Sequence, residues 1–115
     1  MPSHTTPPFM PRDARIYVPG HRGLVGSAIV RRLESLGYRN LLLRTRAELD
    51  LLDAHAVATL FAEEKPEFVF VCAAKVGGIM ANNTYPAEFF YENVAIETAI
   101  IHQAWRNNIK RLLFL

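Results

Sequence analysis

The sequence holds a single cysteine, Cys72, and that rules out an internal disulfide. Cys72 stands in an apolar run, and a lone thiol of this kind suits a reducing compartment; the expectation is a cytoplasmic protein. No stretch approaches the ~20 consecutive apolar residues that span a membrane, so no membrane partner is expected. A large charge of one sign is also missing. The net charge is +2 over 115 residues, too small to argue for nucleic acid. His55 and His102 stand on expected helices with no second ligand at metal spacing, so no metal is expected. There is no internal repeat. Residues 1–13 carry Pro2, Pro7, Pro8 and Pro11 but lack the basic start and apolar run of a signal peptide. Residues 1–14 read as a flexible Pro-rich tail.

The rest has an ordinary globular composition, 50% hydrophobic and 21% charged, enough for one domain or a piece of one. Arg12, Arg15, Arg22, Arg31, Arg32, Arg39, Arg44 and Arg46 crowd the first half. Such a half suits an anionic ligand, or a solvated surface with local acidic partners.

Residues 15–18, Arg-Ile-Tyr-Val, form a short β-rich run that stops at Pro19-Gly20. From Leu24 the apolar residues Val25, Ala28, Ile29, Leu33 and Leu36 recur at three- and four-residue steps, while Arg31, Arg32 and Glu34 face elsewhere. That period predicts an amphipathic helix stopped by Gly37. Leu41, Leu42 and Leu43 predict a second strand, and residues 48–52 an ambiguous short third one. Asp53 is placed to cap a helix over 54–64, with Val57, Leu60 and Phe61 buried and Lys65-Pro66 ending it. Residues 68–72 are continuously apolar, as in a strand covered on both faces. Gly77-Gly78 and Asn82-Asn83 mark a loop. Pro86 suits a first helical turn, and the helix is expected to reach about Asn107 with Phe90, Val94, Ile101 and Trp105 buried. Leu112 to Leu115 begin a further strand. Alternation of strand and helix argues for an α/β, Rossmann-like, doubly wound parallel sheet, incomplete, with its first four or five strands.

Chemistry is concentrated in Gly20-His21-Arg22-Gly23-Leu24-Val25-Gly26. Gly20 lets the chain turn out of the strand, Gly23 lets a pyrophosphate approach the backbone, and Gly26 lets the helix lie close. A helix N-terminus then offers N–H groups and partial positive charge to phosphates. A strand before and a helix after supply the context this pattern needs; without a ligand it is a glycine-rich turn. The end of the second strand selects the cofactor. An acid there would bond the ribose of NAD, an arginine the 2′-phosphate of NADP. This chain has Arg44-Thr45-Arg46, and Arg22 lies in the turn itself. Guanidinium offers phosphate two parallel bonds, so NADP(H) is the expected cofactor, unless these arginines pair with Glu48 or Asp50. Cys72 reads as a buried strand residue, since nothing nearby would stabilise its thiolate.

The Gly-His-Arg-Gly-Leu-Val-Gly turn (20–26), Arg-Thr-Arg (44–46), Ala-Ala-Lys-Val-Gly-Gly-Ile (73–79) and Ala-Asn-Asn-Thr-Tyr-Pro-Ala (81–87) resemble the GDP-L-fucose synthases. These are extended short-chain dehydrogenase/reductases, also called GDP-4-keto-6-deoxy-D-mannose 3,5-epimerase-4-reductases. The resemblance covers residues 15–115, a partial NADP(H)-binding domain without the C-terminal substrate domain. It implies epimerisation beside the keto group of a GDP-linked sugar, then hydride delivery from NADPH, in a homodimer. By motif match, Gly20, His21, Arg22, Gly23, Leu24, Val25 and Gly26 would hold the pyrophosphate, with His21 either touching a phosphate or simply exposed. Arg22 and Arg46 would take the 2′-phosphate. Asp50 and Leu51 would lie near the adenine, although the family often has Asn where Asp50 stands. Ala73, Ala74 and Lys75 would border the nicotinamide side.

The family's Gly-Ser-Ser-Cys segment and Tyr-x-x-x-Lys pair would follow the strand at 112–115. Tyr85 and Tyr91 do not replace that pair, because Phe89 and Ala95 stand four residues on. No catalytic residue is therefore assigned, and the 115 residues alone are expected to be inactive. Two other readings remain: an NAD-using sugar-nucleotide epimerase or dehydratase of the same superfamily, and a noncatalytic NADP(H)-binding remnant.

Overall fold

The computed structural model of the chain describes residues 10–73 and 86–115. In order these form β1 (Ile16–Tyr17), α1 (Leu24–Ser35), β2 (Leu41–Leu42), α2 (Ala54–Glu64), β3 (Phe68–Val71), α3 (Pro86–Arg106) and β4 (Arg111–Phe114). Among the described residues the four strands make one sheet in the order β2-β1-β3-β4. All pairings are parallel, with Ile16 beside Leu41 and Phe68, and Phe68 beside Arg111. The expected doubly wound α/β architecture is present with four strands, the lower of the two expected counts, because residues 48–52 form turns rather than a strand. The loop expected at 77–83 lies outside the described residues.

Strand alternation divides the core into two layers. Ile16, Val18 and Phe68 face α1 and cluster with Leu33 and Tyr38, while Phe70 and Cys72 pack against that cluster. Tyr17, Val69 and Val71 face α2 and α3 and cluster with Val57, Leu60, Phe61, Ile100 and Ala104. Tyr17 and Phe61 are both fully buried and meet edge to face, 5.7 Å between ring centroids at 82°. Aromatic rings prefer this geometry because the positive edge of one meets the negative face of the other.

Local signals set the helix ends. The Asp53 carboxylate accepts from the Ala56 N–H at 3.1 Å, capping α2, and Lys65 closes it in a left-handed conformation before Pro66. At the end of α1, Tyr38 N–H bonds the Leu33 carbonyl and Gly37 N–H bonds that of Glu34. The left-handed Gly37, φ +94°, makes this crossed pair possible.

The helix faces differ from expectation. On α1 Gly26 and Leu33 are buried, with Ile29 and Val30 packed on the core, whereas Val25, Ala28 and Leu36 are exposed. On α3 the buried stripe is Ile100 and Ala104, flanked by Ile96 and Ala99. Phe90, Val94, Ile101 and Trp105 are exposed, Phe90 to 70% and Trp105 to 74%. On α3 two apolar stripes lie about one residue apart, and the sheet takes the one with smaller side chains, Ile96, Ala99, Ile100 and Ala104.

The first residues described are also tied down. Within the stretch read as tail, Ala14 is buried. Tyr38 hydroxyl donates to the Met10 carbonyl at 2.7 Å and accepts from Arg12 at 3.0 Å. At the opposite edge of the sheet from the strands' C-termini, Arg15 bonds the Glu64 carbonyl and carboxylate and Asn40, joining β1, α2 and the residue before β2.

Candidate functional site

Parallel strands place their C-terminal ends on one edge, so the turns after β1, β2 and β3 converge there. β1 is central. The chain goes from it to β2 on one side, and β3 lies on the other, so the strand order reverses between β1 and β3. Ligands in open α/β sheets bind at such a switch point.

The glycine turn occupies that point. Gly20 has φ +84°, and a Cβ there would lie 2.6 Å from the Ala73 nitrogen and from the Cys72 carbonyl carbon. A larger residue would be strained and would also strike the backbone after β3. Cys72 N–H bonds the Pro19 carbonyl at 3.0 Å, fixing the two strand ends together. A Cβ on Gly26 would overlap the Gly20 carbonyl oxygen, so α1 rests directly on the turn. Gly23 differs: an added Cβ would meet only the Gly20 oxygen, at 3.5 Å, with open space beyond.

Gly23 is the N-cap of α1 and has no side chain to cap it, and the first turn carries no acidic residue. The N–H groups of the first turn therefore have no side-chain cap, beside the exposed Leu24 and Val25. This arrangement favours an anion. His21 is half-buried, and its basicity is lowered by burial and by neighbouring Arg22, with Glu48 opposing. An imidazole N–H at that place can donate to a phosphate.

Four of the arginines divide into two pairs. Arg15 is held by Glu64. Arg44 bonds the Leu43 carbonyl at 3.1 Å and pairs with Glu64 at 3.5 Å. Arg22 and Arg46 are exposed at the turn and just past β2, with no ion pair or hydrogen bond to another described residue. Neither Glu48 nor Asp50 takes them. The Asp50 carboxylate instead accepts from Leu52 N–H at 3.0 Å, and Leu51 packs against the core. Ala73 is buried beside Gly20. Ala74 and Lys75 lie outside the described residues. Burial raises the Cys72 thiol pKa, which disfavours the thiolate.

One feature escaped the sequence reading. Thr45 N–H donates to the Glu48 carboxylate at 2.7 Å, and Glu48 N–H returns a bond to the Thr45 hydroxyl at 3.3 Å. The Thr-x-x-Glu spacing at 45–48 signals this reciprocal cap. Hydrogen bonding of the carboxylate by the Thr45 backbone, and then by its side chain, holds the Glu48 carboxyl below its usual pKa, with Arg44 and His21 adding to the effect.

A hollow of ≈ 320 Å³ between Arg44 and α2 is lined by Glu48, Glu63 and Glu64. Three carboxylates oppose an anionic ligand there, so the glycine turn remains the candidate site. Among the described residues no three His, Cys, Asp or Glu are grouped to hold a metal, and no helix is long and apolar enough to cross a membrane. The uncapped helix start, the open side of Gly23 and the exposed Arg22 and Arg46 fit a dinucleotide that carries an extra phosphate.

Comparison with known proteins agrees in fold and sequence. The family model "NAD dependent epimerase/dehydratase family" matches residues 16–115. The chain is 56% identical over 107 residues to a putative GDP-L-fucose synthase 2 of Arabidopsis thaliana, covering 93% of this chain and 33% of that protein. It is 57% identical over 101 residues to the GDP-L-fucose synthase of Escherichia coli K12, covering 88% and 32%. A solved structure of MlghC, a GDP-mannoheptose C4 reductase from Campylobacter jejuni with NADP bound, superposes with a TM-score of 0.87 at 46% identity, covering 91% of this chain and 31% of that one. The chain thus spans about a third of the length of these relatives.

Proposed function

Since this chain belongs to the NAD dependent epimerase/dehydratase family, we propose that it supplies the NADP(H)-binding part of an enzyme that epimerises and reduces GDP-4-keto-6-deoxy-D-mannose to GDP-L-fucose. The observation that carries the cofactor half is the pairing of an uncapped, acid-free α1 start with the unpartnered Arg22 and Arg46. The relatives named GDP-L-fucose synthase support the substrate half.

Each part of the site has a separate task. Gly20 and Gly26 bring β1, the end of β3 and α1 close enough for the turn's N–H groups to converge. The N–H groups after Gly23, with His21, bind the pyrophosphate. Arg22 and Arg46 take the 2′-phosphate, a charge NADH lacks. Leu51 and Asp50 border the adenine. Ala73, Ala74 and Lys75 would border the nicotinamide side. NADPH bound there would supply hydride to the sugar's keto carbon. The groups that move protons in that reaction are assigned to no residue of these 115.

The substrate partner is a GDP-sugar, the compartment cytoplasmic, and the assembly a homodimer. The exposed stripe of Phe90, Val94, Ile101 and Trp105 on α3 supports the last of these, because contiguous exposed apolar side chains mark interaction surfaces. Trp105→Lys should then shift the protein to monomer in sedimentation.

The function is tested by titrating the protein with NADPH and NADH, then assaying the complete enzyme for substrate-dependent loss of NADPH absorbance with GDP-4-keto-6-deoxy-D-mannose. Tight NADPH binding with conversion to GDP-L-fucose supports the reading. A preference for NADH, or no turnover of that sugar by the complete enzyme, overturns it.

A further inference from the structure

We propose that Thr45 and Glu48 are a positioning pair that holds Arg46 for the 2′-phosphate, an inference that rests on the NADP(H) reading of the site. The segment after β2 is closed as a single helical turn. Glu48 N–H and Leu49 N–H both bond the Thr45 carbonyl, at 3.0 and 2.9 Å. Glu48 carboxylate closes the front of the turn on the Thr45 N–H, at 2.7 Å. Leu49 anchors its back, buried among Tyr17, Leu42 and Val57. Arg46 and Ala47 project between these two fixed ends.

Closure acts on Arg46 in two ways. It restricts the backbone that carries the guanidinium, so less freedom remains to be lost when a phosphate is bound. It also keeps an anion occupied. Glu48 lies only two residues from Arg46, and a carboxylate released from the Thr45 N–H would be a ready partner for that guanidinium. Engaged as it is, Glu48 leaves Arg46 without an ion pair among the described residues. Arg44 is removed from competition by Glu64. Sequence spacing alone makes Arg44 and Arg46 equivalent; this turn makes them different.

The opposing effect is electrostatic. The Glu48 negative charge stands near His21 and Arg44, and on its own it would repel a phosphate. Glu48→Gln separates the two effects, because an amide oxygen can still accept from Thr45 N–H while the charge is gone. Glu48→Ala loses both. Glu48 is exposed, so neither variant disturbs the core.

The test measures NADPH and NADH affinity by titration calorimetry on the full chain for the parent, Glu48→Gln, Glu48→Ala and Thr45→Ser. Glu48→Ala is expected to weaken NADPH about tenfold, the scale of one charge-assisted hydrogen bond, with NADH changed less than about twofold. Glu48→Gln should bind NADPH at least as tightly as the parent, because the bond is kept and the repulsion is gone, and Thr45→Ser should stay near it. In an Arg46→Ala background the Glu48→Ala effect on NADPH should vanish. Equal weakening of both cofactors would make the pair merely structural and overturn the inference. So would tighter NADPH binding by Glu48→Ala, or identical behaviour of Gln and Ala. If Arg46→Ala itself shows no NADPH-selective loss, the cofactor reading fails at its root, whatever the Glu48 variants do.

Discussion

Gly26 lies directly against Gly20: a Cβ on the first would overlap the carbonyl oxygen of the second and sit 2.9 Å from the Cα of His21. The start of α1 is thereby pressed onto the turn that leaves β1. Contact between backbones gives neither side a flexible side chain to move. The turn in turn touches the backbone after β3, so three elements share one point.

Gly26→Ala should therefore destabilise the protein by ~1–3 kcal/mol, the usual cost of forcing extra volume into a packed contact. Gly23→Ala should not, since its φ is −76° and its Cβ would meet only one atom, at 3.5 Å. Gly23→Ala should still weaken NADPH, because the methyl group projects toward the space assigned to the pyrophosphate. Chemical denaturation and cofactor titration on the two variants check the contrast. Loss of stability in Gly23→Ala equal to that in Gly26→Ala would contradict it.

This contact was legible in the sequence, because three glycines at three-residue spacing between a β run and a helical period have few other uses. The α2 boundaries were legible for a similar reason: Asp53 and Lys65-Pro66 are chemical stops, read correctly at both ends. Helix orientation was not. Phe90, Val94, Ile101 and Trp105 share one stripe of α3, and Ile96, Ile100 and Ala104 share the neighbouring one. Periodicity identifies both, but only the sheet decides between them. Residues 48–52 were ambiguous because Leu49 and Leu51 alternate like a strand; Leu49 is indeed buried, but as the anchor of a turn. The pairing of Arg44 with Glu64 crosses from β2 to the end of α2, and no local pattern announces it.

Arg46→Ala should weaken NADPH by ~1.5–3 kcal/mol, as for a lost hydrogen bond to a charged group, and leave NADH nearly unchanged. Arg44→Ala should change neither affinity, since its guanidinium is already held by Leu43 and Glu64. That half-exposed pair contributes at most ~1 kcal/mol to stability. Paired titrations of the two variants decide which arginine reads the phosphate. A selective NADPH defect in Arg44→Ala would transfer the role to it.

Glu67 links stability to pH. Its carboxylate accepts from Arg15 N–H at 3.0 Å and pairs with Lys110 at 3.3 Å. The Arg15 hydrogen bond foremost, then Lys110, holds its pKa below the ordinary glutamate value. A carboxyl with a lower pKa when folded stabilises the fold above its unfolded pKa and loses that contribution as pH falls through the folded one. Urea midpoints should thus decline on acidification below the usual glutamate range. Glu67→Gln should be less stable than the parent at neutral pH and converge with it in acid. Parallel pH profiles for the two proteins would count against this assignment.

Phe61 tests whether the core and the site are separable. It is fully buried on α2, edge-on to Tyr17 of β1. Removing its ring leaves a cavity between α2 and the sheet, and Phe61→Ala should cost ~3–5 kcal/mol. Phe61→Leu keeps most of the volume and should cost less. Tyr17 lies three residues before Gly20, but the turn is fixed by backbone contacts with Ala73 and Gly26 rather than by the Tyr17 ring. Phe61→Leu should therefore melt earlier and still bind NADPH with the parent's affinity, measured well below its transition temperature. A large loss of affinity in the folded Leu variant would mean that the position of the turn depends on how the ring pair packs beneath the sheet.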